Sequence, residues 1–310
     1  MHAASPQPQP VVTPAPGPPL RLGRGDGSQL TIGDGTIRLM AILNLTPDSF
    51  FDGGRYAGAA AVRRAEELVA QGADILDVGA ESTRPGAPEV PAQEEWRRLA
   101  EVLPELRRAA LPVVLSVDTR HAEVAERAAD EGVCLLNLPF PQDLLGQRSP
   151  AALQALLRRF DGLVLMHARG TPQTMAGMCH YEGPVAEQVA AELVATCAQL
   201  CGGDLTQRVI FDPGLGFAKD AEQSLALLGR LGWLRARLGR PLLVGASRKS
   251  FLGWATGLPV QERLIPSVAA AVLAAWQGAA IVRVHDVVET RAALRLVAAV
   301  RQAAGGGHEP

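Results

Sequence analysis

Short runs rich in valine, isoleucine and leucine recur along the chain, each followed by a polar or glycine-bearing loop and then by a longer stretch with helical spacing. The runs fall at 38–43 (RLMAIL), 74–80 (DILDVGA), 113–118 (VVLSVD), 134–138 (CLLNL), 162–167 (GLVLMH), 209–214 (VIFDPG), 241–246 (PLLVGA) and 281–286 (IVRVHD). Segments 59–72, 122–132, 186–200 and 266–278 have a helical period, and Gly72, Gly132 and Gly278 stand where helices would stop before the next strand. Eight strands alternating with helices over roughly 265 residues predict a (β/α)8 barrel, and the nearly continuous apolar runs suit strands buried on both faces. An open doubly wound sheet is the alternative. The segment LTIGDGTIRL (30–39) reads as a glycine-turned hairpin ahead of the first barrel strand, placed to plug the barrel's N-terminal mouth.

The ends of the chain read differently. Residues 1–19 hold seven of the 23 prolines and few large apolar groups, so a disordered tail is expected there. A single catalytic domain is expected over 20–303, with a flexible glycine-rich tail at 304–310. No basic start is followed by an apolar core of signal-peptide length, so the cytoplasm is the expected location.

Composition narrows the class. With 47% hydrophobic and 20% charged residues among 310, the chain has ample material for a core, and no apolar run approaches the roughly 20 residues of a membrane helix. A net charge of −2 provides no global field for nucleic acid, so neither nucleic acid nor membrane is an expected partner. Cys134, Cys179, Cys197 and Cys201 form neither a disulfide scaffold nor a paired zinc motif; Cys197 and Cys201 read as one turn of buried helix face. Of the 30 basic residues, 28 are arginine, and the two lysines, Lys219 and Lys249, mark places where a compact ammonium matters.

In a (β/α)8 barrel the active site forms where the strands end, so the closing residues are the ones to read. They are Asn44, Glu81, Asp118, Asn137, His167, Asp212, Ser247 to Lys249, Arg283, His285 and Asp286. Any one of these is as readily a solvated loop residue or helix cap. Eight polar strand ends together argue for a site, in which carboxylates and an amide read a hydrogen-bonding ring while Arg, Lys and His hold an anion. Two long loops, 44–56 and 81–91, are rich in Pro, Gly, Asp and Ser and are built to order over a ligand, with Arg84 as a candidate anion clamp. Phe50 and Phe51 are large apolar groups in a polar loop and call for a partner or a ligand ring.

The segments MAILNLTPDSFFDGG (40–54) and GADILDVGAESTRPGA (72–87) closely resemble the two signature regions of the dihydropteroate synthases. SVDTRHAEVA (116–125), LMHARGTPQTM (165–175), DPGLGFAKD (212–220), VGASRKSFLG (244–253) and IVRVHDVVET (281–290) resemble the later blocks of that family in the right order. The resemblance implies a (β/α)8 barrel that condenses 6-hydroxymethyl-7,8-dihydropterin diphosphate with p-aminobenzoate to dihydropteroate and pyrophosphate. It implies that Asp212, Asp118 and Asn137 read the pterin's aminopyrimidinone edge and ring nitrogens, and that Lys249 reaches its carbonyl and N5 side. Met166, Phe217 and Gly245 would form apolar walls and floor. It places Asn44 with Mg²⁺ and the diphosphate, Arg283 and His285 on the leaving group, and Thr83, Pro85, Ser247 and Arg248 around p-aminobenzoate. Asp48 is the candidate for stabilising positive charge in a dissociative, SN1-like substitution, and a homodimer is expected. One departure from the family pattern stands beside the site: Leu138 and Pro139 follow Asn137 where a carboxylate is usual. A noncatalytic pterin-binding paralogue and a methyltetrahydrofolate-binding corrinoid methyltransferase are the alternative readings.

Overall fold

The structure, a computed structural model, describes residues 17–45, 57–84 and 86–305. Each of the eight apolar runs contains one strand of a parallel sheet: β3 (Arg38–Asn44), β4 (Ile75–Gly79), β5 (Val114–Asp118), β6 (Leu135–Leu138), β7 (Gly162–Met166), β8 (Val209–Asp212), β9 (Leu243–Val244) and β10 (Ile281–Val284). The hydrogen-bonded order is β8-β7-β6-β5-β4-β3-β10-β9. Closure comes from a bridge between Phe211 and Leu242, with the Phe211 N–H donating to the Pro241 carbonyl at 3.0 Å. The sheet is therefore a closed cylinder, and the open doubly wound alternative is excluded. Around it run α1 (Ala57–Ala70), α2 (Ala92–Ala100), α3 (Leu103–Ala109), α4 (Ala122–Asp130), α5 (Pro150–Leu157), α6 (Val185–Leu200), α7 (Ala221–Gly229), α8 (Leu231–Leu238), α9 (Ser250–Thr256), α10 (Leu264–Trp276) and α11 (Val287–Gly305). None of these helices is long and apolar enough to cross a membrane. Cys197 and Cys201 are buried at the end of α6, as their spacing predicts.

The two-residue period of each strand divides the core. Leu39, Ala41 and Leu43 of β3, Leu76 and Val78 of β4, and Val282 and Val284 of β10 join the layer between strands and helices. The alternate residues Met40, Ile75, Val114, Leu135, Val164, Ile210, Leu243 and Ile281 form a second cluster inside the cylinder. Two residues further along several of these strands the same inward face carries Asp77, Ser116, Asn137, Asp212, Gly245 and Arg283. The barrel interior is thus apolar at its N-terminal end and polar at its C-terminal end.

A small hairpin closes the apolar end. β1 (Leu20–Gly23) pairs antiparallel with β2 (Gln29–Ile32), Leu22 opposite Leu30, and Leu20, Leu22, Leu30 and Ile32 pack onto the inner apolar cluster. The plug is where the sequence suggests, but its bounds differ from 30–39. The first half of that segment is the hairpin's second strand, and Arg38 and Leu39 already belong to the barrel. Its partner, LRLG, is only four residues long and follows Pro18 and Pro19, so it lacks the length to stand out as a strand. At the other end α11 continues to Gly305, past the expected boundary at 303. Residues 1–16 and 306–310, most of the two expected tails, lie outside the described residues.

Because Leu22 is fully buried at the centre of the plug, Leu22→Ala should destabilise the chain by about 3 kcal/mol. Urea unfolding would measure this.

Candidate active site

Asp77 is the hub of the polar layer. It lies in the middle of an apolar strand, fully buried. One carboxylate oxygen accepts from Ser116 Oγ at 2.6 Å; the other accepts from Arg283 Nε at 2.6 Å and from Asn137 Nδ2 at 3.0 Å. The same guanidinium donates through Nη2 to Asp118 at 2.7 Å. β10 borders neither β5 nor β6, so these bonds cross the inside of the cylinder and join four strands. Burial opposes the charge of Arg283, but Asp77 and Asp118 outweigh it and hold the guanidinium protonated. Burial pushes the Asp118 carboxyl up to about 7, against the pull of Arg283 and with the repulsion of Asp77, Glu81 and Asp212. Its second oxygen, Oδ1, is buried without a partner.

Beside this hub stands the pair Asp212 and Lys249. Asp212 closes β8 and accepts the Gly214 N–H at 2.7 Å. Burial raises its pKa, opposed by Lys249. Lys249 donates to the Leu215 carbonyl at 2.6 Å, and its ammonium lies 4.7 Å from the centroid of the Phe217 ring. Burial lowers it to about 8. Gly245 lies beneath: a Cβ there would approach Arg283 Cβ to 3.7 Å and Lys249 Nζ to 4.0 Å, taking floor space next to both cations. Met166 packs with Phe140, Ala168, Met175 and Ala218, and Phe217 rests on that group. Phe140 meets Phe217 edge to face at 6.1 Å. The run Leu138-Pro139-Phe140 therefore puts an aromatic wall beside the site.

The rim is cationic. Arg248 forms a two-pronged ion pair with Asp286, its Nε donating to Oδ2 at 3.1 Å. Ser247 Oγ accepts the His285 backbone N–H at 3.3 Å and lies 2.9 Å from His285 Nδ1. Burial, then the charges of Arg283, Arg248 and Arg84, hold the His285 imidazole down to about 4, with Asp286 opposing. The ring is therefore neutral near pH 7, and with Nδ1 facing the Ser247 hydroxyl its Nε2 is the nitrogen left for a ligand. Arg84, exposed, and Thr83, half-buried, lie in the loop after β4. That loop is tied to the one after β7: Gly86 N–H donates to the Pro172 carbonyl at 2.8 Å and Gln173 Nε2 to the Ala87 carbonyl at 2.7 Å. Asn44 closes β3 with its side chain half-buried. Asp48, Phe50, Phe51 and Pro85 lie outside the described residues.

Two strand-end residues turn away from this mouth. Glu81 accepts the Val90 N–H at 3.1 Å, and its other oxygen lies 3.7 Å from His121 Nε2. His121 also meets the Val90 carbonyl at 3.1 Å and lies 4.0 Å from Glu95. Glu95 accepts from Thr119 Oγ1 at 2.9 Å, and burial pushes its carboxyl up to about 8. His167 is buried between Lys219 and Glu192, 2.8 Å and 3.0 Å from them. Asp77 and Ser116 are the residues that reading only strand ends passes over. The available signal was a charged residue in the middle of a strand whose neighbours are all apolar.

The chain matches the pterin binding enzyme family over residues 40–285. It is 43% identical over 267 residues to the dihydropteroate synthase of Neisseria meningitidis serogroup B, covering 84% of this chain and 91% of that one. Its fold is similar to that of the Burkholderia cenocepacia dihydropteroate synthase complexed with 7,8-dihydropteroate (TM-score 0.78, 40% identity, 95% of this chain and 99% of that one). It is similar also to the Xanthomonas albilineans dihydropteroate synthase with 4-aminobenzoic acid (TM-score 0.78, 38% identity, 92% and 99%).

The buried carboxyl of Glu95 makes a prediction about stability. Its folded pKa of about 8 lies above the ordinary 4.5, so the folded state holds a proton that the unfolded chain releases. Its contribution is full below pH 4.5 and is lost as pH rises toward 8. Glu95→Gln should remove that decline and equal or exceed the parent's melting temperature near pH 8, as thermal unfolding between about pH 5 and pH 8 would show.

Proposed function

The chain belongs to the pterin binding enzymes and, within them, to the dihydropteroate synthases: it joins 6-hydroxymethyl-7,8-dihydropterin diphosphate to p-aminobenzoate and releases pyrophosphate; from that premise we propose that an acidic floor reads the pterin while a cationic rim takes the departing diphosphate. The observation that carries this division is that, among the described residues, Asp77, Asp118 and Asp212 gather around Arg283 and Lys249, with Lys219 behind Asp212, while Arg84 and Arg248 stand near His285 on the rim. A pterin presents N–H donors along its aminopyrimidinone edge, and buried carboxylate oxygens are their natural acceptors. Asp212 takes the two adjacent donors of that edge. Asp118, with its unpartnered oxygen, and Asn137 take the remaining ring nitrogens and amine. Lys249 turns from the Leu215 carbonyl to the ring's carbonyl and N5 side, and Met166, Phe217 and Gly245 hold its faces.

In the reaction the bond between the pterin's methylene carbon and the diphosphate oxygen breaks, and the electron pair leaves with the diphosphate. Donation from the pterin ring stabilises the cationic methylene, so a dissociative, SN1-like course follows. The lone pair of the aryl amine then forms the new C–N bond, and the amine loses a proton to solvent. Arg283, Arg84 and the Nε2–H of His285 meet the leaving charge, and the imidazole gains a proton more readily as that charge arrives. Thr83, Pro85, Ser247 and Arg248 shape the p-aminobenzoate subsite. Asp48 is positioned in sequence to stabilise developing positive charge, and the two loops exclude water that would capture the cation. For Mg²⁺, the amide oxygen of Asn44 is a hard, neutral donor of the kind that ion takes alongside water and phosphate oxygens, so the residue fits the group. When bound, the ion neutralises charge on the diphosphate.

We further propose a homodimer built on α9 to α11. Trp254, Ile265, Leu273, Trp276 and Leu296 are large, apolar and exposed there, Ile265 at 78% and Leu296 at 67%. Light scattering should give twice the 32.7 kDa chain mass, and Trp276→Glu should give the monomer.

The residue roles are separated by two variants assayed together. Asp212→Asn swaps an acceptor for a donor and should weaken binding of bare 6-hydroxymethylpterin by about 2 kcal/mol, roughly thirtyfold in Kd. Arg84→Ala should leave that Kd nearly unchanged while lowering pyrophosphate release that depends on both substrates. Unchanged pterin affinity in Asp212→Asn removes Asp212 from the floor, and equal losses in both assays for Arg84→Ala remove it from the rim.

A further inference from the structure

The mechanism above leaves one buried ammonium without a task. Lys219 is 6% exposed, and its three N–H groups are all engaged: Nζ lies 3.0 Å from the Gly214 carbonyl, 2.9 Å from the Phe217 carbonyl and 2.8 Å from His167 Nδ1. Burial and then the charge of Lys219 hold the His167 imidazole down to about 4, while burial lowers Lys219 only to about 7, so the proton shared by the pair belongs on Lys219. Lys219 Nζ then donates to Nδ1, and the Nε2–H of the neutral ring donates to Glu192 at 3.0 Å. Glu192 in turn accepts from Arg169 Nε at 3.0 Å, and the Arg169 guanidinium lies 4.0 Å from the Tyr181 ring centroid. The Tyr181 hydroxyl donates to the Ala218 carbonyl at 3.0 Å, so the chain of contacts returns to the loop it left.

That loop, 213–219, supplies three groups to the pterin floor: the Gly214 N–H on Asp212, the Leu215 carbonyl under Lys249, and the Phe217 ring beside the Lys249 ammonium. It is held in an unusual shape. Gly214 has φ +64°, and a Cβ there would lie 1.9 Å from the His167 carbonyl oxygen; Ala218 has φ 48°, a left-handed value costly for a residue with a Cβ. Two carbonyls turned to the same side need a donor that reaches both, and Lys219 provides it. The Leu215 carbonyl between them is left for Lys249. On the far side the capping box of Asp220 and Gln223 fixes the backbone that follows.

We infer that Lys219 is a positioning residue for the pterin half of the reaction: by clamping the Gly214 and Phe217 carbonyls against His167 it sets the distance between Asp212, Lys249 and the Phe217 ring. The inference rests on the proposed pterin-reading role of Asp212 and Lys249. It differs from general support of the fold because it assigns the effect to one substrate. The rim groups that meet p-aminobenzoate, Ser247 and Arg248, are held by His285, Ser267 and Asp286, not by this loop.

The test is steady-state kinetics with both substrates varied, on the full chain. Lys219→Met keeps length and volume while removing the donors. It should raise KM for the pterin diphosphate by at least about tenfold and leave KM for p-aminobenzoate within about twofold, the size expected for losing charge-assisted hydrogen bonds. Calorimetric Kd for 6-hydroxymethylpterin should rise in parallel. Leu205→Ala, a buried substitution away from the loop, serves as the stability control and should leave both KM values near the parent's. If Lys219→Met does not fold, Glu192→Gln is the second variant: it lies on the partly exposed face of α6 and should raise only the pterin KM, about threefold, by weakening the relay that holds Lys219. Equal rises in both KM values, or none, overturn the inference. If Asp212→Asn weakens pterin binding and neither Lys219→Met nor Glu192→Gln does, the floor stands and the positioning role falls; if Asp212→Asn has no effect, the floor itself falls.

Discussion

Arg283 strung between Asp77 and Asp118 is the interaction on which the site depends. Taking two carboxylates and a guanidinium out of water costs several kcal/mol per ion, and the cost is offset because both Asp77 oxygens and the Arg283 guanidinium find partners, while Asp118 Oδ1 is left open. Those partners come from β5, β6 and β10, and the curling of the sheet across β4 and β3 is what carries Arg283 over to Asp77 and Asp118. On a flat sheet Asp77 would keep Ser116 of the adjacent strand and lose its cation. The barrel and its chemistry are one requirement: the cylinder brings the charges together, and the charges favour the cylinder.

Above that layer the distribution of charge has a direction. On the floor three carboxylates gather around Arg283 and Lys249, with Lys219 behind Asp212, and on the rim His285 is held neutral first by burial and then by the charges of Arg283, Arg248 and Arg84. A ligand that is a hydrogen-bond donor at one end and a polyanion at the other has a single favourable orientation here. The glycines serve the same end where they are irreplaceable. At Gly214 the backbone passes so close to the His167 carbonyl that no side chain fits, and this closeness brings the amide onto Asp212.

Much of this was legible in the chain itself. The alternation of apolar runs with helical stretches located all eight barrel strands, because strands buried on both faces cannot avoid being continuously apolar. The polar strand ends located Asp118, Asn137, Asp212, Lys249 and Arg283, which the structure brings to one mouth. Glu81 and His167 were legible as strand ends but not in direction, since a side chain that closes a strand can turn toward the helices as easily as into the barrel. Asp77 and Ser116 were hidden for the opposite reason: they lie before the strand ends, where composition gives no hint of which face is inward. The four-residue first strand of the hairpin was too short for a period to register, and the charge state of His285 depends on its burial and on Arg248 and Arg84, which are remote in sequence, as well as on nearby Arg283.

The two-residue alternation that parts pocket from packing has a corollary for inheritance. Odd and even positions of the same strand answer to separate demands, one set by what enters the mouth and the other by the helices outside. Lineages of this barrel are therefore free to drift in ligand preference by changing inward residues one at a time while the outward register preserves the architecture, and to wander in helix composition without disturbing what is bound.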